Sequence, residues 1–533
     1  MASAPFFRVA FGVDAAGGLV ILRRVAMNTD AAAVPPDPAA ARRLRFATLA
    51  FPPAGLWLLW RGPATLGRKL LGTLGVGLFS LVYAAAILFL LHKFAGLRFE
   101  MQGRPIPVPT WQVTDYARLE KARAATSPSP AAKPVTPAAK PIAPPYWTDF
   151  RGPQRDGHYT EQPINVDWAK SPPKRLWQQP VGGGFASFVV ADGLAFTIEQ
   201  RREQEAVTAY EIETGSEVWA HSYAAHFQEW MGGEGPRATP TWHEGRLYSL
   251  GGTGQFRCLE AATGKLLWQH DLFAEHSCSN LYFALSAAPL IVEDKVLVLA
   301  GEPQGRDARM LIGYDKITGA LAWKALEGKA GYSSPLVVKL AGERQLLVHS
   351  SSHLLGVSPT DGKALWRFPW RVEFDNSIAQ PIVTGTNRLV LSAGYGTGAV
   401  GLEVSHTESG FAVKELWRNK FLKNKFTSSV LHNGHLYGLD EDILVCLDAA
   451  TGERRWKDGR YGYGQVLLAS GHLVILCGNG DLALVQALPD RHVELARIPG
   501  IKGKTWNHPA LAGGKLFVRN AVEMACFDLS AKQ

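Results

Sequence analysis

From residue 186 to the C-terminus, short apolar runs alternate with polar positions and are cut every few residues by Gly, Asn or Asp, as in GRLYSLGG, KVLVLAG, RLVLSAG, HLYGLD, HLVILCG and KLFVRN. Alternation with a period of two, bounded by turn formers, predicts short antiparallel strands joined as meanders. Each group opens on a short apolar strand introduced by small residues and often Pro: ASFVVA, RATPTW, LSAAPLIV, YSSPLVV, IAQPIV, TSSVLH, YGQVLLA and WNHPALA. Eight such openings divide residues 146–533 into units of about 48 residues with four strands each, the size of a propeller blade. The pattern predicts an all-β, eight-bladed propeller.

A second periodic feature runs in register with the first. TAYEIETGSEVW, RCLEAATGKLLW, IGYDKITGALAW, LGVSPTDGKALW and VCLDAATGERRW end at Trp219, Trp268, Trp323, Trp366 and Trp456. Gly215, Gly264, Gly319, Gly362 and Gly452 each stand four residues before the Trp, and an acid (Ser358 in one copy) stands eight before it. The acid caps backbone N–H groups of a tight turn, Gly takes positive φ, and the Trp offers a flat apolar face that seals one blade on the next. Trp177 and Trp417 keep the Trp end alone. The seventh unit has Ala496 in place of the Trp, and the eighth stops at ACFDLS without an outer strand. That strand is expected from KRLWQQP at Trp177, closing the ring and removing its exposed edge.

The N-terminal part has a different pattern. Leu70–Leu91 is 22 residues without a charge, flanked by Arg68 and Lys69 before and His92 and Lys93 after. At about 1.5 Å per residue it reaches roughly 33 Å, enough for one transmembrane helix. Residues 46–60 are shorter and contain Pro52 and Pro53, so they read as an interfacial or re-entrant piece. No Ala-x-Ala site clearly follows the apolar run, which speaks against a cleaved signal peptide. Residues 124–145 hold 7 Pro and 7 Ala, the composition of an extended spacer. The expected organisation is a cytoplasmic or interfacial segment 1–69, a membrane helix 70–91, a juxtamembrane region and Pro/Ala-rich linker 92–145, and the propeller 146–533.

The net charge of +9 changes meaning once it is located. Residues 1–145 carry 17 Lys+Arg against 6 Asp+Glu, leaving 39 against 41 for the rest. The basic surplus belongs to the membrane end, and no nucleic-acid partner is expected. Positive charge is nearly even on the two sides of the helix, and only Arg42, Arg43 and Arg45 favour an inside N-terminus.

The five Trp-Gly motifs resemble the tryptophan-docking repeats of the quinoprotein dehydrogenases and their relatives, the PQQ-like β-propeller proteins, over residues 146–533. DFRGPQRDGHY at 149–159 and GGEGPRATPTW at 232–242 resemble a bacterial membrane or secreted PQQ-like family. The β-propeller lipoprotein of the outer-membrane β-barrel assembly machinery is similar at greater distance. The resemblance implies an extracytoplasmic propeller. For a dehydrogenase it would further imply PQQ, a Ca²⁺ held by Glu, Asn and Asp, and a disulfide between adjacent cysteines. No two of Cys258, Cys278, Cys446, Cys477 and Cys526 are adjacent, and no Cys-x-x-Cys-His haem motif is present.

Ligands of a propeller belong on its axis, where first strands from every blade converge. The residue three before each first-strand Pro, or its equivalent, is Ala186, Arg237, Ser286, Tyr332, Ile378, Thr427, Tyr463 and Trp506. Of these, Arg237, Tyr332, Tyr463 and Trp506 are the candidate channel rim, able either to hold an anionic planar quinone or to plug the channel. Glu199 is the candidate metal ligand. His270, Asp271, His276 and Cys278 match no zinc spacing. The expectation is a non-enzymatic scaffold, anchored in the bacterial inner membrane by one helix with its propeller in the periplasm, that docks other envelope proteins. The alternative is a PQQ- and Ca²⁺-dependent alcohol or sugar dehydrogenase.

Overall fold

The structure, a computed structural model, describes residues 52–63, 65–95, 97–100, 108–110, 114–126 and 147–531 except Trp230, with isolated residues before 52. It divides into two compact units, Met1–Ala95 and Gly96–Gln533.

In the first unit two helices, Pro52–Arg61 and Leu66–Ala95, pack on each other. The two prolines expected to break the shorter element instead open it, because the first turn of a helix needs no donor from them. Trp60 Nε1 donates to Thr73 Oγ1 at 2.9 Å, and Gly72 gives room to Leu59, whose Cδ2 would stand 2.6 Å from an added Cβ. The longer helix contains the predicted span and exposes Leu71, Leu74 and Leu78. Among the described residues it is the one helix long and apolar enough to cross a membrane.

The second unit is an eight-bladed propeller of four-stranded antiparallel meanders. Blade 1 runs Val189–Ala191, Leu194–Arg201, Gln204–Glu211 and Glu217–Ala224. Blades 2 to 7 repeat this plan in chain order, from Thr241–His243 to Glu494–Ile498. Blade 8 takes Ala510–Ala512, Lys515–Arg519 and Glu523–Asp528 from the C-terminus and Lys174–Pro180 as its outer strand, with Cys526 opposite Trp177. The expected closure is therefore present.

The repeat motif performs as its chemistry predicts. Gly215, Gly264, Gly319, Gly362 and Gly452 have φ between 70° and 76°. An added Cβ on Gly215 would stand 2.6 Å from Trp177, and one on Gly264 2.5 Å from Trp219, so the absent side chain is the socket for the preceding blade's ring. The indole N–H of Trp177, Trp219 and Trp456 donates to Ile212 O, Ala261 O and Leu488 O at 2.9–3.0 Å. Asp315 and Asp448 cap their turns through Oδ1. Trp366 departs from the rule, donating to Gln345 Oε1 at 2.6 Å within its own blade. The next blade has a long hairpin, Gly398–Thr407 with Gly410–Asn419, instead of a Gly socket.

Before the propeller, Tyr116–Thr126 is a helix that takes in the first three residues of the expected spacer; the spacer's remainder, 127–145, lies outside the described residues. This helix is clamped to blade 1 beside the closing blade. Arg123 holds Glu217 in a bidentate pair at 2.9–3.1 Å, Glu120 pairs with Arg202 at 2.7 Å, and Thr114 Oγ1 donates to Ala521 O at 3.1 Å. Tyr116 faces Glu234, and burial first, then that carboxylate, pushes its phenol up. Leu119 is buried beneath the helix.

Candidate functional site

One end of the channel is filled by the chain's own segment 147–159. Gly152 and Gly157 take φ of 90° and 79°, and Arg151 and Arg155 also lie in the left-handed region, so the segment doubles back tightly. Trp147 bridges to Val190 in blade 1, while His158–Tyr159 add in parallel to the innermost strand of blade 7. Between these ends two buried arginines act as hubs. Arg151 donates to Gln380 Oε1, Asp156 O and Ser429 O at 2.7–3.3 Å. Arg155 donates to Asp149 Oδ1 at 2.9 Å, to Pro335 O at 3.1 Å, to Thr241 Oγ1 at 3.3 Å, and to Pro289 O. Innermost strands begin with carbonyls that lack a neighbour on the axis side, and the planar five-donor guanidinium satisfies several at once. Burial holds the Arg151 guanidinium down at about 10.

Above this plug the loops entering the innermost strands enclose a cup of about 220 Å³. Phe150 from the plug lines it, together with Phe185, Phe283, Tyr332, Tyr395, Phe426 and Trp506, and the charged groups are Glu229, Arg237 and Lys425. Trp506 is the centre of the aromatic wall, its ring 4.6 Å from Phe426 and 5.2 Å from Phe185. Arg237 lies 4.6 Å above Phe185 and Lys504 4.6 Å from Trp506, cation–π distances. Arg237 is tied down by Glu229 Oε1 at 3.1 Å and Gly233 O at 2.7 Å, and burial lowers it to about 10. Burial raises Tyr332 and Tyr395 to about 12, so both phenols are neutral. His508 is held down at about 3, chiefly by burial and then by Arg151, and lines the cup as a neutral imidazole.

The first-strand register brings five of its eight positions to the cup: Arg237, Ser286, Tyr332, Ile378 and Trp506. Tyr463 stands behind the lining, accepting a hydrogen bond from Lys425 Nζ at 3.0 Å. Glu199 is far from free, for Oε1 meets Arg201 Nε at 2.5 Å and Oε2 accepts from Tyr210 at 3.1 Å, with the side chain fully buried. Sequence reasoning missed Phe185 and Phe426, which share the position just before the chosen register, and Glu229 and Lys425 on long loops. It also left the two arginines of 149–159 without a role. In the loop 270–278, His270 pairs with Glu275 at 2.7 Å and His276 with Tyr314 of the strand Leu311–Asp315 at 2.5 Å.

A quinone held through calcium needs several convergent carboxylate or amide oxygens free to ligate. Among the described residues no three of His, Cys, Asp and Glu are grouped to hold a metal ion, and both Glu199 oxygens are engaged. The candidate ligand Glu199 is therefore closed to a calcium ion by its own partners.

Comparison with known proteins agrees with this architecture. Residues 202–458 match the family model described as outer membrane protein assembly factor BamB. The BamB protein of Moranella endobia (strain PCIT) is 23% identical over 261 residues, 46% of this chain and 64% of its own length. Among solved structures, a europium-containing methanol dehydrogenase covers 76% of this chain and 92% of its own at 12% identity and TM-score 0.53. The quinohemoprotein alcohol dehydrogenase ADHIIG of Pseudomonas putida HK5 covers 73% and 81% at 12% identity and TM-score 0.50. At such identities these two describe the fold. The chain thus carries an eight-bladed β-propeller that is similar, over residues 202–458, to the BamB assembly factors.

Proposed function

We propose that the protein is a scaffold of the bacterial envelope, held in the inner membrane by the helix Leu66–Ala95 with its propeller in the periplasm, and that it docks other envelope proteins through the cup face. The observation that carries the reading is an aromatic lining that continues out of the cup onto the surface. Phe283 contacts Tyr282, which is 57% exposed, and Tyr395 contacts Phe374, which is 69% exposed. Large aromatics standing in solvent around a concave centre have the anatomy of a docking site. The clamped helix 116–126 supports it further, since it ties the juxtamembrane chain to a fixed place on the ring. Similarity to BamB proteins, named as assembly factors of outer membrane proteins, is in keeping with envelope proteins as partners.

The test replaces Phe374 with a photo-crosslinking phenylalanine in the full-length chain in cells, with Lys170, exposed and no part of the cup lining, as control. The scaffold reading requires a reproducible adduct with an envelope protein from position 374 and none from 170. Fractionation of the same cells must place the chain in the inner membrane, with the propeller open to protease only after the outer membrane is permeabilised. A propeller shielded in the cytoplasm would overturn the topology.

A further inference from the structure

We propose that the axial cup recognises an acidic, aromatic peptide segment of a partner protein, with one aromatic side chain entering the cup and a neighbouring carboxylate meeting Lys425. This rests on the scaffold reading and gives the partner a chemistry.

Four observations carry it. The cup's volume of about 220 Å³ lies below the roughly 300–1,000 Å³ of sites that enclose a whole small-molecule ligand, and suits a single large side chain. Its wall is a stack of Phe185, Trp506 and Phe426 with Phe283, Tyr332 and Tyr395 around it, offering ring faces and edges to an incoming ring.

The charge is uneven. Glu229 is spent on Arg237 and on the N–H groups of Met231 and Gly232 at 2.6–2.7 Å. Lys425 projects among rings, 4.9 Å from the Tyr395 centroid and 4.6 Å from that of Tyr463, donating to Tyr463 at 3.0 Å and pairing with Glu441 at 3.5 Å. Lys504 adds a second ammonium beside Trp506. A carboxylate therefore meets a cationic mouth, whereas a Lys or Arg beside the aromatic anchor is repelled.

The rim is also strained. Phe374 and Asp375 take consecutive φ values of 59° and 58°, a conformation costly for non-glycine residues that concentrates at functional sites. The outcome is a phenyl ring held out in solvent against Tyr395. A second aromatic contact at the rim would shield the buried anchor from water, the arrangement that makes a central residue dominate binding.

The test uses the full-length chain in lipid nanodiscs and saturation-transfer NMR with three blocked pentapeptides: Ac-Ser-Glu-Trp-Glu-Ser-NH2, the same with Lys for Glu, and the same with Ala for Trp. Glucose and PQQ with Ca²⁺ are added in separate arms. The expected result is saturation of the indole protons of the first peptide, with binding on the order of tenfold tighter than either relative. Trp506→Leu and Lys425→Gln should each reduce it by a similar factor, with thermal melting confirming the fold. Phe374→Ser, on an exposed ring in edge contact with Tyr395, should weaken it severalfold with Tm nearly unchanged. Equal binding of all three peptides, no binding of the first, or displacement of the first by glucose or PQQ at equimolar amounts would overturn the proposal. If the peptide binds but position 374 gives no envelope adduct in cells, the scaffold reading falls and the recognition chemistry stands. An adduct in cells with no discrimination among peptides gives the reverse.

Discussion

Replacing Arg155 by Met tests whether the plug holds the propeller together. Its side chain is buried, and its six nitrogen–oxygen contacts with Asp149, Ala288, Pro335, Thr241 and Pro289 join three blades to the 147–159 segment. Methionine keeps much of the volume but donates nothing. Asp149 then loses its cation, and the Pro335 and Ala288 carbonyls lose a donor each. An unsatisfied buried acceptor costs about 1–3 kcal/mol, and a broken buried ion pair about 3–5. Asp149 is 16% exposed and recovers part of its hydration, so a total of about 4 kcal/mol is expected. With about 2.1 cal/mol/K of unfolding entropy per residue over roughly 385 residues, this lowers Tm by about 5 °C. Calorimetry of the solubilised full-length protein reads the shift. A parallel digestion at native temperature reads the plug, whose buried Arg151 should become cleavable early. A Tm change below about 1 °C together with unchanged protection of residues 147–159 would refute the reasoning, because it would mean that water replaces the guanidinium at no cost.

Gly264→Ala, whose Cβ falls 2.5 Å from Trp219 at a φ of 72°, should lose at least about 2 kcal/mol by denaturant unfolding. Gly245→Ala, with similar φ and open space, should lose only about 1. Arg123→Ala should leave the propeller's Tm nearly unchanged and make the chain around Thr126 cleavable by trypsin at Arg118 and Lys121, since Glu217 retains Arg201 at 2.5 Å. Stability should fall in acid through two histidines. Burial holds His349 at about 4 and His508 at about 3 against an ordinary 6.5, so the unfolded chain binds their protons first and folding loses free energy from pH 6.5 down through those values. His349→Gln should flatten that part of the Tm-against-pH curve.

The repeat was legible because each blade must solve the same two local problems with the same residues. A tight outer turn needs a capping acid and a glycine at positive φ, and a twisted sheet packed on its neighbour needs a flat ring, so Gly264 and Trp219 stand in the frame that the sequence displays. The closure through Trp177 was equally readable, because the missing outer strand at ACFDLS and the surplus KRLWQQP are both local facts. The cup was only partly so. A fixed offset from the first-strand proline found Arg237, Tyr332 and Trp506, since every innermost strand enters the axis the same way. The same offset put Tyr463 one layer out, behind Lys425, whose long side chain comes from a different loop.

By itself, then, the sequence determined the number of blades, the order of their strands, the closing strand and the apolar helix, all set by periodicity and by turn and packing chemistry within about 48 residues. The tertiary structure alone decided what occupies the axis. Whether Arg151 and Arg155 lie in solvent or on oxygens of blades 2 to 6 depends on bringing residues 86 to 278 positions apart to one point. No local pattern encodes that. The same reason explains Glu199, which reads as an open carboxylate at the end of a strand and is in fact closed by Arg201 and Tyr210, and the helix 116–126, whose weak amphipathic pattern gives no sign of the charges waiting for it on blade 1.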